Sequence, residues 1–118
     1  MSDIFLVLPE PPSLNDKYVD RKFHVSKEWS SYRPMVQKVC MAERVRPFDC
    51  EVEVKLLWYY AHRLKDIDSK LKCLLDALES KEGTFGAYKN DNQIGDLRVI
   101  RNQDNQNPRC VVTIKRRR

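Results

Sequence analysis

The order of residues predicts an α+β domain, one β-sheet packed by two main helices. Three features lead there. Short segments of alternating apolar and polar residues read as strands, and two longer segments carry apolar residues three and four apart. These follow one another as β, loop, α, β, α, β, β, with no internal repeat or low-complexity tract. The chain has 118 residues, a length that suits a single domain over 1–118 with a modest core.

The first strand is "DIFLVLP", stopped by Pro9. "PEPPSLND" then crowds prolines with Ser, Asn and Asp, a fixed loop, and "KYVDRKFHV" reads as loop with some extended structure. Ser26 suits the cap of a first helix, with Glu28 and Trp29 in its first turn. Trp29, Tyr32, Val36, Val39 and Cys40 give that helix one apolar face. Pro34 falls inside it, either kinking it or marking a second piece, and the helix ends near Arg44. "CEVEVKLLWYY" alternates Val52, Val54 and Leu56 against Glu51, Glu53 and Lys55, a half-buried strand. The second helix covers residues 69–80, where Leu71, Leu74, Leu75 and Leu78 share a face. Gly83 and Gly86 break the chain after it. "DLRVIRNQ" reads as a strand, "DNQNP" as a turn, and "RCVVTIKR" as the hairpin partner of that strand.

Hydrophobic residues are 42% and charged residues 33%, as in soluble globular proteins. No apolar run approaches the roughly 20 residues of a membrane span. The first residues lack the basic start and long apolar run of a signal peptide, so a cytoplasmic protein is expected. Cys40, Cys50, Cys73 and Cys110 form no C-x-x-C pair, which argues against a zinc site and for reduced thiols that are packing residues or idle at the surface. The 22 Lys and Arg outnumber the 17 Asp and Glu, for a formal charge of +5. Nucleic acid is the first partner class for such a chain, and acidic membrane surface the second.

Against that charge, "KDIDSKLKCLLDALES" sets Asp66 and Asp68 two apart at the mouth of the second helix. Asp68 as a helix cap is the plain reading, and it leaves Asp66 unexplained. Two carboxylates so close stay ionised cheaply only beside a cation. Lys72 follows Asp68 by four residues and Asp76 follows Lys72 by four, along one helix edge. They form either an ordinary ion-pair ladder or a lysine held ready for a phosphate. Asp91, in "YKNDNQIGD", is a third acid, and Mg2+ takes such oxygen ligands together with substrate phosphate.

Four segments in order, "LPEPPSLNDKY", "HVSKEWSSYR", "DIDSKLKCLLDAL" and "NDNQIGDLRV", resemble the RusA family of phage and bacterial Holliday-junction resolvases. The resemblance implies a mixed sheet packed by two main helices, a homodimer, and Mg2+-dependent nicking of four-way DNA junctions, with Mn2+ able to substitute. By resemblance Asp66, Asp68 and Asp91 are metal acids and Lys72 is a catalytic lysine. Asn15 matches the early P-P-S-x-N loop on the DNA face. The chain departs from the family at Glu10, where relatives often carry an aromatic residue, and at Asn90, where some carry Asp.

Such an enzyme binds a branched polyanion through basic side chains. Lys17, Arg21, Lys22, Arg33, Lys65, Lys89 and the "IKRRR" tail are the candidates. Trp29 and Trp58 read as core residues rather than base-stacking platforms. His24 and His62 lack partners at ligand spacing, and Ser13 and Ser26 lack a base. No small-molecule cofactor or membrane partner is expected. A non-catalytic nucleic-acid-binding protein of the same fold, and a broader flap or branch nuclease, are the other readings.

Overall fold

The computed structural model describes residues 3–12, 27–61, 67–81 and 85–117, except the side chains of 27–30 and 69. Its elements are β1 (Ile4–Pro9), α1 (Lys27–Ala42), β2 (Val52–Tyr60), α2 (Ile67–Ala77), a 3-10 turn (Asp91–Gln93), β3 (Ile94–Gln103) and β4 (Arg109–Arg116). The strands form one four-stranded sheet in the order β1-β4-β2-β3. β4 is antiparallel to β1 and to β2, whereas β3 is parallel to β2, so the sheet is mixed.

Strand periodicity decides which face is covered. Ile4, Leu6 and Leu8 of β1, Val52, Val54, Leu56 and Trp58 of β2, and Cys110, Val112 and Ile114 of β4 are all buried. Both helices lie on that face. Tyr32, Val36 and Cys40 from α1 and Cys73, Leu74 and Ala77 from α2 complete the core. Each fully buried Leu, Ile or Val there contributes about 1.5–3 kcal/mol. Trp58 is fully buried, as its sequence context suggested, and its indole N–H has no partner among the described residues. The side chain of Trp29 lies outside the described residues.

The expected hairpin between the last two strands is not formed. β4 sits between β1 and β2, and β3 occupies the outer edge beyond β2. Burial explains the choice. β4 alternates buried and half-buried residues and suits an interior position, while β3 is mostly exposed and suits an edge. Residues 104–108 carry the chain across the end of β2, where the Asp104 N–H donates to the Tyr60 carbonyl at 2.8 Å. The Asp104 carboxylate accepts from the N–H groups of Asn107 and Gln106, each at 3.1 Å, and from Arg109 at 3.0 Å. The Asn107 bond first, and then the Arg109 bond, hold that carboxyl below the usual range.

α1 runs as one helix through Pro34, so no second helical piece begins there. Its end is sharp. The Val45 N–H reaches back to the Cys40 carbonyl at 2.8 Å and the Arg44 N–H to the Met41 carbonyl at 3.0 Å. This is a Schellman closure, and it places Arg44 in the left-handed region at φ 54°. α2 spans Ile67–Ala77, earlier at both ends than its leucine stripe suggested. Asp68 therefore lies within the first turn rather than before it.

Candidate functional site

The site is built around the C-terminal end of α2. The last carbonyls of a helix have no partner within it and need outside donors. Here each has one. The Leu78 N–H reaches Leu74 O at 3.2 Å, and the Tyr88 hydroxyl donates to Leu75 O at 2.7 Å. Arg33 of α1 donates from Nη1 to Asp76 O at 2.8 Å and from Nη2 to Glu79 O at 2.9 Å. Gln37, one turn further along α1, donates to Ala77 O at 3.2 Å. Sequence reasoning offered Arg33 as a phosphate contact, but its guanidinium is occupied in capping α2.

The chain then turns back on itself. Ala87 N–H donates to Leu78 O at 2.8 Å and Ser80 N–H to Tyr88 O at 2.7 Å. Gly86 permits this approach, because a Cβ there would lie 2.6 Å from Ser80 N and 2.8 Å from Leu78 O. Tyr88 is fully buried beneath the turn, and burial raises its hydroxyl pKa well above the ordinary value.

The "NDNQ" run forms a capping box. Asn90 Oδ1 accepts from Asn92 N–H at 2.9 Å, and Gln93 Oε1 accepts from Asn90 N–H at 3.0 Å and Lys89 N–H at 2.8 Å. The Gln93 amide nitrogen donates to Phe48 O at 2.8 Å and Cys50 O at 2.9 Å. Gln93 thereby ties the Asp91 turn to the segment leading into β2. Asn90, where some relatives carry Asp, serves as the cap acceptor, a task either residue performs.

These bonds deliver Asp91 to α2. Its N–H donates to Glu79 Oε1 at 3.2 Å. Carboxylate oxygens of Asp76, Glu79 and Asp91 lie within 4.8 Å of one another. Oxygens bound to one Mg2+ at about 2.1 Å stand at most about 4.2 Å apart, so small side-chain adjustments would let the set embrace such an ion. An all-oxygen donor set suits a hard cation rather than zinc.

Asp68 and Lys72 continue this edge toward the start of α2, both exposed. Asp68 precedes Asp76 by two helical turns, about 12 Å of helix rise. The i,i+4 ladder foreseen as the ordinary role of Lys72 is not closed: among the described residues it makes no ion pair. Lys89 is exposed and pairs with Asp49 at 2.6 Å. Asp66, Asn15, Lys17, Arg21, Lys22 and Lys65 lie outside the described residues, as do His24, His62, Ser13 and Ser26. Glu10, the other departure from the family pattern, pairs with Lys70 in the first part of α2 at 3.0 Å, both largely shielded from water. Arg117 of the basic tail is held by Glu51 at 3.0 Å and by Gly95 O at 2.9 Å.

Glu79, Arg33 and Gln93 were missed as site-building residues. Glu79 had a signal, since it follows Asp76 by three and shares its helix edge. Arg33 and Gln93 had none, because their partners are main-chain atoms more than forty residues away.

A basic α+β domain that gathers carboxylates beside a lysine-bearing helix edge has the makings of a phosphodiester-processing protein. The family model of endodeoxyribonuclease RusA matches residues 9–115, nearly the whole chain, and the chain belongs to that family. Comparison with curated proteins gave no match. The small fold, with a mixed four-stranded sheet and two helices, is consistent with the family, and membership supports nuclease activity on DNA. No helix among the described residues is long and apolar enough to cross a membrane.

Proposed function

We propose that this chain is a Mg2+-dependent endonuclease that resolves four-way DNA junctions by paired, symmetrical nicks, acts as a homodimer, and serves DNA recombination and repair. The family match over residues 9–115 supports the endonuclease class. The observation that carries the metal reading is the gathering of carboxylates of Asp76, Glu79 and Asp91 at the end of α2, about two helical turns from Asp68.

In this reading Asp66, Asp68 and Asp91 hold Mg2+, for which Mn2+ substitutes. The bound cation supplies an activated water and offsets the charge of the phosphodiester under attack. Lys72, exposed and without an ion pair among the described residues, neutralises charge on the phosphate as the bond breaks. Asn15, Lys17, Arg21, Lys22, Lys65 and Lys89 position the backbone of the junction, and binding weakens steeply with salt. Two copies related by a two-fold present identical sites to two strands of the junction. Residues 1–118 act as one domain.

The gathering of Asp76, Glu79 and Asp91 favours a second ligand set, one turned toward the end of α2. Nicking of a synthetic four-way junction separates the two. Under the first set, Asp66→Asn or Asp68→Asn abolishes Mg2+-dependent cutting while Glu79→Gln spares it. Under the second the pattern reverses, and Asp91→Asn abolishes cutting under both. A protein that binds junctions equally well in EDTA and never nicks them with Mg2+ or Mn2+ is a binder, and the enzymatic reading fails. Equal cutting of flaps and forks makes it a broader branch nuclease.

A further inference from the structure

The buried stripe of α2 begins with a charge. Lys70, Cys73, Leu74, Ala77 and Leu78 follow one another at i, i+3, i+4, i+7 and i+8, the spacing of a single helix face. The last four are core residues. Lys70 heads the same face with its side chain 19% exposed, and its ammonium is held by Glu10 at 3.0 Å. The Glu10 side chain is itself 17% exposed. The pair lies beside the core thiol of Cys110. Burial first and the Glu10 carboxylate second raise the pKa of that thiol, and the Lys70 ammonium lowers it.

Glu10 starts from fixed main chain. Pro9 ends β1 in register with Arg109 of β4, and its carbonyl accepts from the buried Tyr32 hydroxyl of α1 at 2.9 Å. The Glu10–Lys70 bond thus ties the start of α2 to a point that β4 and α1 already hold.

Stability gives no reason for these charges. A lysine near a helix N-terminus opposes the helix dipole. Shielded ion pairs cost desolvation, and apolar residues of similar volume in their place are often neutral or stabilising. What the pair has and an apolar contact lacks is direction. Burial of apolar surface is non-directional, whereas a charge-assisted hydrogen bond fixes donor, acceptor and angle.

We infer that the Glu10–Lys70 pair is a positioning device that sets the rotation of α2 about its axis, and with it the aim of Asp68 and Lys72. The inference rests on the proposed function for the roles of those two groups alone. Successive helical residues are about 100° apart, so Asp68 and Lys72, two residues before and after Lys70, both stand about 160° round the helix from it. Locking Lys70 inward on Glu10 turns Asp68 and Lys72 outward together, and both are exposed. At side-chain tips about 5–6 Å from the axis, a roll of about 20° moves each by about 2 Å. A displacement of about 1 Å at reacting groups is enough to cost about a hundredfold in rate. Glu10 and Lys70 touch neither metal nor phosphate in this reading; they act through Asp68 and Lys72.

Replacing both partners by apolar residues, Glu10→Leu with Lys70→Met, separates aim from stability. This double variant should melt at or above the wild-type temperature. Its KM for a synthetic four-way junction should stay within about twofold of wild type, while kcat with Mg2+ falls about tenfold or more. Hydrogen exchange at the amides of Leu71, Lys72 and Cys73, in the second turn of α2, should quicken about tenfold, with the amides of α1 unchanged. Reversing the charges, Glu10→Lys with Lys70→Glu, restores a pair and should bring kcat back to within about threefold of wild type.

Wild-type kcat and wild-type hydrogen exchange in the apolar variant overturn the inference. So does an apolar variant that unfolds or melts well below the wild type, since the pair is then a stabiliser. A fall in kcat without faster exchange in α2, or a charge-reversed pair as slow as the apolar variant, also overturns it. A wild type that never nicks a junction defeats the nuclease reading instead, and the exchange of the α2 amides then decides the positioning role.

Discussion

Replacing Arg33 with alanine should destabilise the protein by about 2–3 kcal/mol, although Arg33, on α1, is not a residue of the hydrophobic core. Two hydrogen bonds are lost, at 2.8 Å to Asp76 O and 2.9 Å to Glu79 O. Bonds from a charged donor contribute about 1.5–3 kcal/mol each, toward the low end when part-exposed. Asp76 O retains the Glu79 N–H at 3.2 Å, so only Glu79 O loses its sole donor among the described residues. A cation at a helix C-terminus adds about 0.3–1 kcal/mol. For a domain of this size the total moves the urea midpoint by about 1–2 M. Arg33→Lys keeps the charge but cannot reach both carbonyls, and should recover about half of the loss. Because the bonds are to main chain, the loss should persist in high salt. A midpoint shift below about 0.3 M in Arg33→Ala, with weakened DNA binding instead, would refute the capping role.

Arg44→Gly should stabilise the protein by about 1 kcal/mol, measured by urea unfolding, because a side chain at φ 54° is strained and glycine is not. Gly86→Ala should cost about 2 kcal/mol or more, since the added Cβ meets main chain at 2.6 Å, and melting temperature should fall accordingly. A thiol reagent at neutral pH should label Cys50 ahead of Cys40, Cys73 and Cys110, which are buried and should react only after denaturant is added. Burial pushes Cys40 up to about 11 and Cys110 up to about 12, from an ordinary value of 9.0. A folded value above the unfolded one gives stability that is complete below pH 9.0 and lost as pH rises toward 11 and 12, so alkaline unfolding should begin in that window.

Much of the fold was readable because it rests on local period. The alternation in "EVEVKLL" and the leucine stripe of α2 each specify an element without reference to the rest of the chain. Strand order was not readable from the local pattern, since proximity in sequence favoured a hairpin of β3 with β4. The preference of the apolar β4 for an interior position prevailed, a decision made by the whole sheet. At the site, Asp68, Lys72 and Asp76 were visible as one helix edge. The approach of Asp91 to Asp76 and Glu79 depends on Gly86, Tyr88 and Gln93, whose partners are main-chain atoms, and main-chain partners leave no mark in a sequence.

The position of β4 has a bearing on biogenesis. Among the described residues β1 pairs with no strand except β4, so a ribosome-bound chain that has yet to expose residues 109–116 holds its first strand without that neighbour. Until then, of the strands described, only β2 and β3 are able to pair, with a parallel register that requires a long crossover. Assembly of the sheet must therefore wait for its last strand, and a nascent chain stalled before Arg109 is a natural client for chaperones.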